Sequence, residues 1–243
     1  MVITIQNDAY GAEEKLSAVE DGAKRFENLL KTEFSYVSPG WYDGRNLFEN
    51  IKTGDKLVMM LGNVLRRWQK RGETLGRFVL YFHGHGVQVG WMVYLQCDNY
   101  LYFQVDGHPC LLTTSGEAVP MEELVNKVVE LSEAEVYYII NDSCANTSEF
   151  KDEATKQRVR DAHAVKKDQN IVQIKAVPDG KRAEAAEGKT LTSALVAILE
   201  WEGRGVPLNK LQEELRAEQR KQGSKNVPII EVSDEFAHEP FPL

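Results

Sequence analysis

Two apolar runs constrain this chain more than any other feature. They are Arg77-Phe78-Val79-Leu80-Tyr81-Phe82-His83-Gly84-His85-Gly86 and Val136-Tyr137-Tyr138-Ile139-Ile140-Asn141-Asp142-Ser143-Cys144-Ala145-Asn146. Each is rich in β-branched and aromatic residues, lacks the alternation of a half-solvated strand, and stops at a cluster of small and polar residues. A strand apolar on both faces must be covered on both faces, which points to an inner parallel strand of an α/β sheet. In such sheets the carboxyl ends of the strands form the rim where ligands bind. The two runs thus deliver two histidines and one cysteine to the same rim. A thiol needs a base to become a nucleophile at neutral pH, and His and Cys distant in sequence but joined by the fold supply that pairing.

The rest of the chain alternates strand and helix. Strands are expected at Val2–Gln6, Phe34–Val37, Arg77–Phe82, Val136–Ile140, Ile171–Lys175 and Pro228–Val232, six in all. Leu57, Met60, Leu61, Val64, Leu65 and Trp68 repeat at helical spacing, as do Leu124, Val125 and Val128 after Pro120, and Leu208, Leu211 and Leu215 after Pro207. Parallel strands need right-handed crossovers, so the expected architecture is a mostly parallel sheet with helices on both faces. Trp91–Leu95 and Tyr100–Phe103 flank Asp98-Asn99, which predicts a small hairpin appended to the sheet. The segment 147–170 is dense in charge and reads as an exposed linker, with a polar helix over Glu149–Ala164 as the alternative.

At 243 residues the chain is near the upper size for one domain. A net charge of −8, with no long basic run and no aromatic-plus-Arg stacking pattern, argues against nucleic acid and anionic membranes as partners. No apolar stretch approaches the length of a membrane span, and Val2-Ile3-Thr4-Ile5 lacks the basic flank and cleavage site of a leader and reads as a strand. Three cysteines, Cys97, Cys110 and Cys144, show neither a CxxC nor a disulfide rhythm, which suits a reducing, cytoplasmic location.

The pair of motifs, His-Gly after one strand and Asp-Ser-Cys after another, resembles the caspase-like cysteine peptidases, above all the metacaspase and paracaspase branches. Those families show Ser-Gly-His-Gly and Asp-x-Cys where this chain has His83-Gly84-His85-Gly86 and Asp142-Ser143-Cys144. The likeness spans most of the chain and implies a caspase-like six-stranded α/β sheet. It divides a single catalytic domain into a large-subunit-like region (1–146), a linker (147–170) and a small-subunit-like region (171–243). It further implies a cysteine endopeptidase cutting after Arg or Lys in protein or peptide substrates, with no cofactor in the chemistry. Metacaspases often require calcium and paracaspases do not, and the scattered acids here have no EF-hand-like spacing, so calcium activation stays open.

Residue by residue, Cys144 carries the role of nucleophile, against the alternative of a buried structural thiol. Position does not choose between His83 and His85 as base; the resemblance assigns His85, the histidine before the final Gly. The His-x-His spacing could also hold a metal with His108 and Cys110 as the nearby helpers. By the same resemblance, the N–H groups of Gly86 and Cys144 stabilise the oxyanion. Asp142 brings a carboxylate to the primary specificity pocket, which would pair with a basic side chain; the alternative is a carboxylate that only caps local backbone. Asp21 resembles the pocket's second acid, with Glu20 one residue away, and Glu184 lies in a segment resembling the loop beside that pocket. Thr190–Leu195 resembles the helix start that follows. Metacaspases usually continue Cys-His-Ser-Gly, whereas here Ala145-Asn146-Thr147 follows Cys144, which leaves a catalytically silent interaction module as the rival reading. Six basic residues of the linker, Lys151, Lys156, Arg158, Arg160, Lys166 and Lys167, would be available to self-cleavage.

Overall fold

The computed structural model describes the chain apart from residues 8–16, 43–44, 73, 98–99, 145–146, 149–152, 163–169, 179–180, 185, 187, 204, 234–235 and 243, and apart from the side chains of 17–21, 41–42, 45, 87–106 and 147–148. In chain order the strands are β1 (Val2–Gln6), β2 (Trp41–Tyr42), β3 (Arg45–Asn46), β4 (Arg77–His83), β5 (Gly86–Cys97), β6 (Tyr100–Leu112), β7 (Ala118–Pro120), β8 (Val136–Asp142), β9 (Thr147–Ser148), β10 (Ile171–Lys175), β11 (Val206–Pro207), β12 (Ile229–Glu231) and β13 (Pro240–Phe241). The helices are α1 (Ser17–Glu33), α2 (Gly54–Gln69), α3 (Met121–Ser132), α4 (Glu153–Asp161), α5 (Leu191–Glu202) and α6 (Leu208–Lys221).

The central sheet has the order β1-β4-β8-β10-β12. Its first four strands run parallel and β12 is antiparallel to β10. It therefore has five strands, not six. Phe34–Val37 forms the connection after α1: Ser35 takes a left-handed φ of 58°, and the Tyr36 N–H donates back to the Leu30 carbonyl. Tyr36 is the buried residue of the run, its hydroxyl donating to the Pro242 carbonyl at 2.6 Å; Val37 is exposed, and its carbonyl accepts one hydrogen bond from the Val2 N–H without forming a strand of the sheet.

Burial explains the absence of alternation in β4 and β8. Val79 and Tyr81 of β4, with Tyr138 and Ile140 of β8, enter a core closed by α1, α5 and α6. Phe78, Leu80 and Phe82, with Tyr137 and Ile139, enter a second core closed by α2 and α3. The sheet thus separates two cores, and both inner strands must be apolar on each side. Along the same period, His83 and Asp142 emerge on the face of α1 and α5.

The hairpin is long: β5 and β6 pair antiparallel from Gly86–Leu111 to Cys97–Tyr100, and β7 and β9 extend it to a second, four-stranded sheet. Its tip at Asp98-Asn99 lies outside the described residues. The polar helix foreseen as one alternative for 147–170 forms as α4, which is docked: Val159 packs with Cys110 and Ala118 against the hairpin sheet. Arg158 is clamped by three carboxylates, Nε to Glu123 Oε2 at 2.7 Å and Nη1 to Glu117 Oε1 at 2.6 Å and to Asp55 Oδ1 at 3.2 Å.

Candidate active site

The two motifs meet because β4 and β8 are neighbours in exact register, Arg77 opposite Val136 through to His83 opposite Asp142. His85 and Cys144 each follow two residues later, so they leave the sheet at the same level from strands about 4.8 Å apart. Gly86 fixes the closeness of the two loops. A Cβ on Gly86 would overlap Ser143 Oγ and lie 2.6 Å from the Cys144 carbonyl oxygen, so only glycine lets the His85 loop approach the Cys144 loop this far. Ser143 is itself held, its Oγ donating to Asn141 Oδ1 at 2.6 Å.

Cys144 is half-buried, in no disulfide, and its Sγ donates to the Ala183 carbonyl at 3.7 Å. His85 is half-buried beyond the end of β4. It therefore does not extend the strand alternation that would set it on the same side as His83 for a metal pair. No group of three or more His, Cys, Asp or Glu side chains gathers in metal-binding geometry among the described residues. Cys110 is buried, its Sγ donating to the His108 carbonyl, and His108 faces Glu122 at 3.7 Å. The side chain of Cys97 lies outside the described residues.

Asp142 is almost fully buried, and α5 points its N-terminus at it. Oδ1 accepts from the Leu191 N–H at 3.2 Å, and Oδ2 from the Thr192 N–H at 2.9 Å and the Thr192 hydroxyl at 2.5 Å. The start of α5 is set by Thr190, whose Oγ1 accepts from the Ser193 N–H at 3.1 Å. A negative charge at a helix N-terminus is favourable, so this contact both satisfies the carboxylate and ties α5 to the end of β8. A carboxylate has about four acceptor positions, and three are taken here.

His83 completes a buried network. Its Nδ1 meets the Tyr81 hydroxyl at 2.9 Å, that hydroxyl meets Thr192 Oγ1 at 2.5 Å, and its Nε2 lies 3.7 Å from Asp142 Oδ2. Burial pushes the His83 imidazole below the ordinary histidine value, while Asp142 pulls it upward. Tyr81 is driven well above the ordinary tyrosine value, by burial first and by Asp142 second. On α1, the Cβ position of Gly22 lies 3.7 Å from Thr192 Cγ2 and 4.0 Å from His83 Cε1, so the turn carrying Asp21 packs beside this network. The side chains of Asp21 and Glu20 lie outside the described residues.

Glu184 braces its own loop. Its carboxylate accepts from the Lys225 N–H at 3.0 Å and from Lys189 Nζ at 3.3 Å, contacts that hold it below the usual carboxylate range. Asn226 adds to the brace, accepting from the Glu184 N–H and donating to the Glu184 and Lys189 carbonyls. The loop thus presents the Ala183 carbonyl to Cys144. Tyr81 and Asn226 escape sequence reading because a core tyrosine and a lone loop asparagine carry no motif. Ala183 and Thr192 fall in the two segments marked by resemblance, the loop of Glu184 and the helix start Thr190–Leu195, but a backbone carbonyl and a helix-start threonine have no legible role there.

A parallel α/β sheet with a cysteine and a histidine on adjoining strand ends, a hairpin after the histidine and a helix pointed at the acid before the cysteine defines a protein of the caspase fold class. Comparison with protein families agrees: the family model described as "Caspase domain" matches residues 1–236. The chain belongs to the caspase-domain family. Among solved structures, protein GSU0716 from Geobacter sulfurreducens is similar, with a TM-score of 0.60 over 98% of this chain and 97% of that one. At 13% identity the likeness is one of fold. No curated protein sequence matches the chain.

Proposed function

We propose that this protein is a cysteine endopeptidase in which Cys144 is the nucleophile and His85 the base, cutting peptide bonds after Arg or Lys. The observation that carries the reading is the register of β4 on β8, which sends His85 and Cys144 off neighbouring strands at one level with Gly86 pressed against Ser143 and Cys144. The Cys144 thiolate attacks the scissile carbonyl, forming a C–S bond. Protonated His85 gives its proton to the leaving amine as the C–N bond breaks, and water then hydrolyses the thioester. The N–H groups of Gly86 and Cys144 would receive the developing oxyanion, a contribution of about 3 kcal/mol for such donors.

Basic specificity rests on Asp142. Its charge is buried, it keeps one acceptor position beyond the three taken by α5, and no ion pair to Lys or Arg neutralises it among the described contacts. A guanidinium or ammonium brought near that charge is favoured and a carboxylate repelled. The test is labelling with a peptidyl electrophile carrying Arg before the reactive carbonyl, read by mass spectrometry. An adduct on Cys144, lost in Cys144→Ala and absent with the matching Asp reagent, is the expected result. An adduct with the Asp reagent alone would overturn the basic specificity, and no adduct with either would overturn the peptidase assignment.

A further inference from the structure

We propose that His83 is a specificity-setting residue that acts through Asp142: its imidazole, 3.7 Å from Asp142 Oδ2, competes with the basic side chain of the substrate for the charge of that carboxylate. The inference rests on the reading of Asp142 as the acid of the specificity site. The pairing places a titratable group beside the carboxylate that is to recognise the substrate's own cation.

Among the described side chains, Asp142 is the charged group that faces His83; Asp21 and Glu20, on the turn of α1 beside the network, have side chains outside the described residues. On β4 it touches the Tyr81 hydroxyl, which stays neutral; on β8 it faces Asp142; on α5 the nearest polar side chain, Thr192, is uncharged. On α1 its neighbour is Gly22, and Glu27 of that helix turns to the Thr4 hydroxyl of β1. On β1 its register partner is Gln6. Both side chains of the pair are 3% exposed, so their interaction is little screened by water.

While His83 is neutral, the Asp142 carboxylate keeps the one acceptor position not taken by α5 for an Arg or Lys side chain. Once protonated, His83 cancels that charge in place, and the site loses its preference for a cation. By linkage the reverse also holds: a bound basic residue makes His83 harder to protonate. Burial sets the sense of the pH dependence, since it moves the His83 transition below the ordinary histidine value of 6.5. The effect therefore emerges on the acid side. It falls on substrate binding, whereas titration of the catalytic pair falls on turnover.

The experiment is steady-state kinetics from pH 5 to 8 with two fluorogenic peptides that differ only in Arg or its uncharged isostere citrulline before the scissile bond. KM for the Arg peptide should rise on acidification, by up to about tenfold per pH unit. KM for the citrulline peptide should stay flat, and His83→Gln should remove the rise while the acid limb of kcat persists. A second measurement uses Cys144→Ala protein and follows the His83 ring by NMR, with and without saturating Arg peptide. The midpoint should fall on binding, by the logarithm of the factor by which the neutral form of His83 binds the peptide more tightly than the protonated form. A rise in KM that survives unchanged in His83→Gln, a flat wild-type KM, or a midpoint that the peptide does not move would each overturn the inference alone. Failure of the wild-type enzyme to cut either Arg or Lys peptides at any pH would overturn the specificity reading, and this inference with it.

Discussion

At the scale of single residues, the fold separates two histidines that the sequence sets side by side. Two histidines two positions apart compete as base, and the fold parts them: His83 ends β4 inside a closed network, while His85 stands beyond the strand beside the Cys144 loop. Cys144→Ala and His85→Ala should each lower kcat by at least about a thousandfold with an unchanged circular dichroism spectrum. His83→Ala should retain substantial kcat. The reverse ranking of the two histidines would reassign the base. Gly86→Ala offers a sharper structural test, because its methyl has to displace both Ser143 Oγ and the Cys144 carbonyl. Overpacking of that kind costs about 1–3 kcal/mol, and the shift it forces on Cys144 should also cut kcat at least about a hundredfold, as measured by thermal melting and active-site titration. The cysteine, the histidines and Asp142 were legible in the sequence because strand ends announce themselves. The anchoring of Asp142 by α5 was not, since two backbone N–H groups from residues far along the chain leave no trace in composition.

At the scale of elements, α4 takes part of the linker out of the extended form that a peptidase would need. A peptidase needs an extended substrate, and Lys156, Arg158 and Arg160 are wound into a helix clamped by Glu123, Glu117 and Asp55. If the protein processes itself, mass spectrometry of the fragments should find junctions after Lys151, Lys166 or Lys167, and Cys144→Ala should remain whole. Arg158→Ala leaves partly buried carboxylates unpaired, a cost of about 2 kcal/mol that lowers Tm by about 6 °C. It should add junctions within 156–160 as α4 loosens; an unchanged fragment pattern would show that docking of α4 does not protect these bonds. The helix was foreseen only as an alternative, because its charge density is that of a solvated segment and its docking rests mainly on Arg158 and Val159. Phe34–Val37 misled in the opposite direction: three apolar or aromatic residues in four look like a strand, but only Tyr36 is buried, reaching Pro242 at the far end of the chain, while Val37 is exposed.

For the whole molecule, the buried network links acid stability to the site. His83 is held below the ordinary histidine value when folded and returns to about 6.5 when unfolded. Above about pH 6.5 neither state takes up the proton and His83 adds no pH dependence to stability. Below it the unfolded chain binds a proton that the folded one resists, so stability falls with pH by up to about 1.4 kcal/mol per unit until the folded value is reached. Denaturant midpoints should show this slope on acidification below pH 6.5, ending where KM for the Arg peptide begins to rise, and His83→Gln should flatten it; an identical slope in the variant would assign the acid sensitivity elsewhere. The parallel architecture and its two cores were readable from unbroken apolar runs, since only a sheet covered on both faces demands them.

The register of β4 on β8 also governs which changes of length the protein can survive. One residue added within Arg77–His85 or Val136–Cys144 would slide Cys144 against His85 by about 3.3 Å and turn the following side chains to the opposite core. The exposed turn that closes α2, where Gly72 has a φ of 67° and open space around it, carries no such constraint. Lineages of this fold are thus free to lengthen at turns of this kind, while the two strands that aim the thiol and the imidazole must keep their residue count.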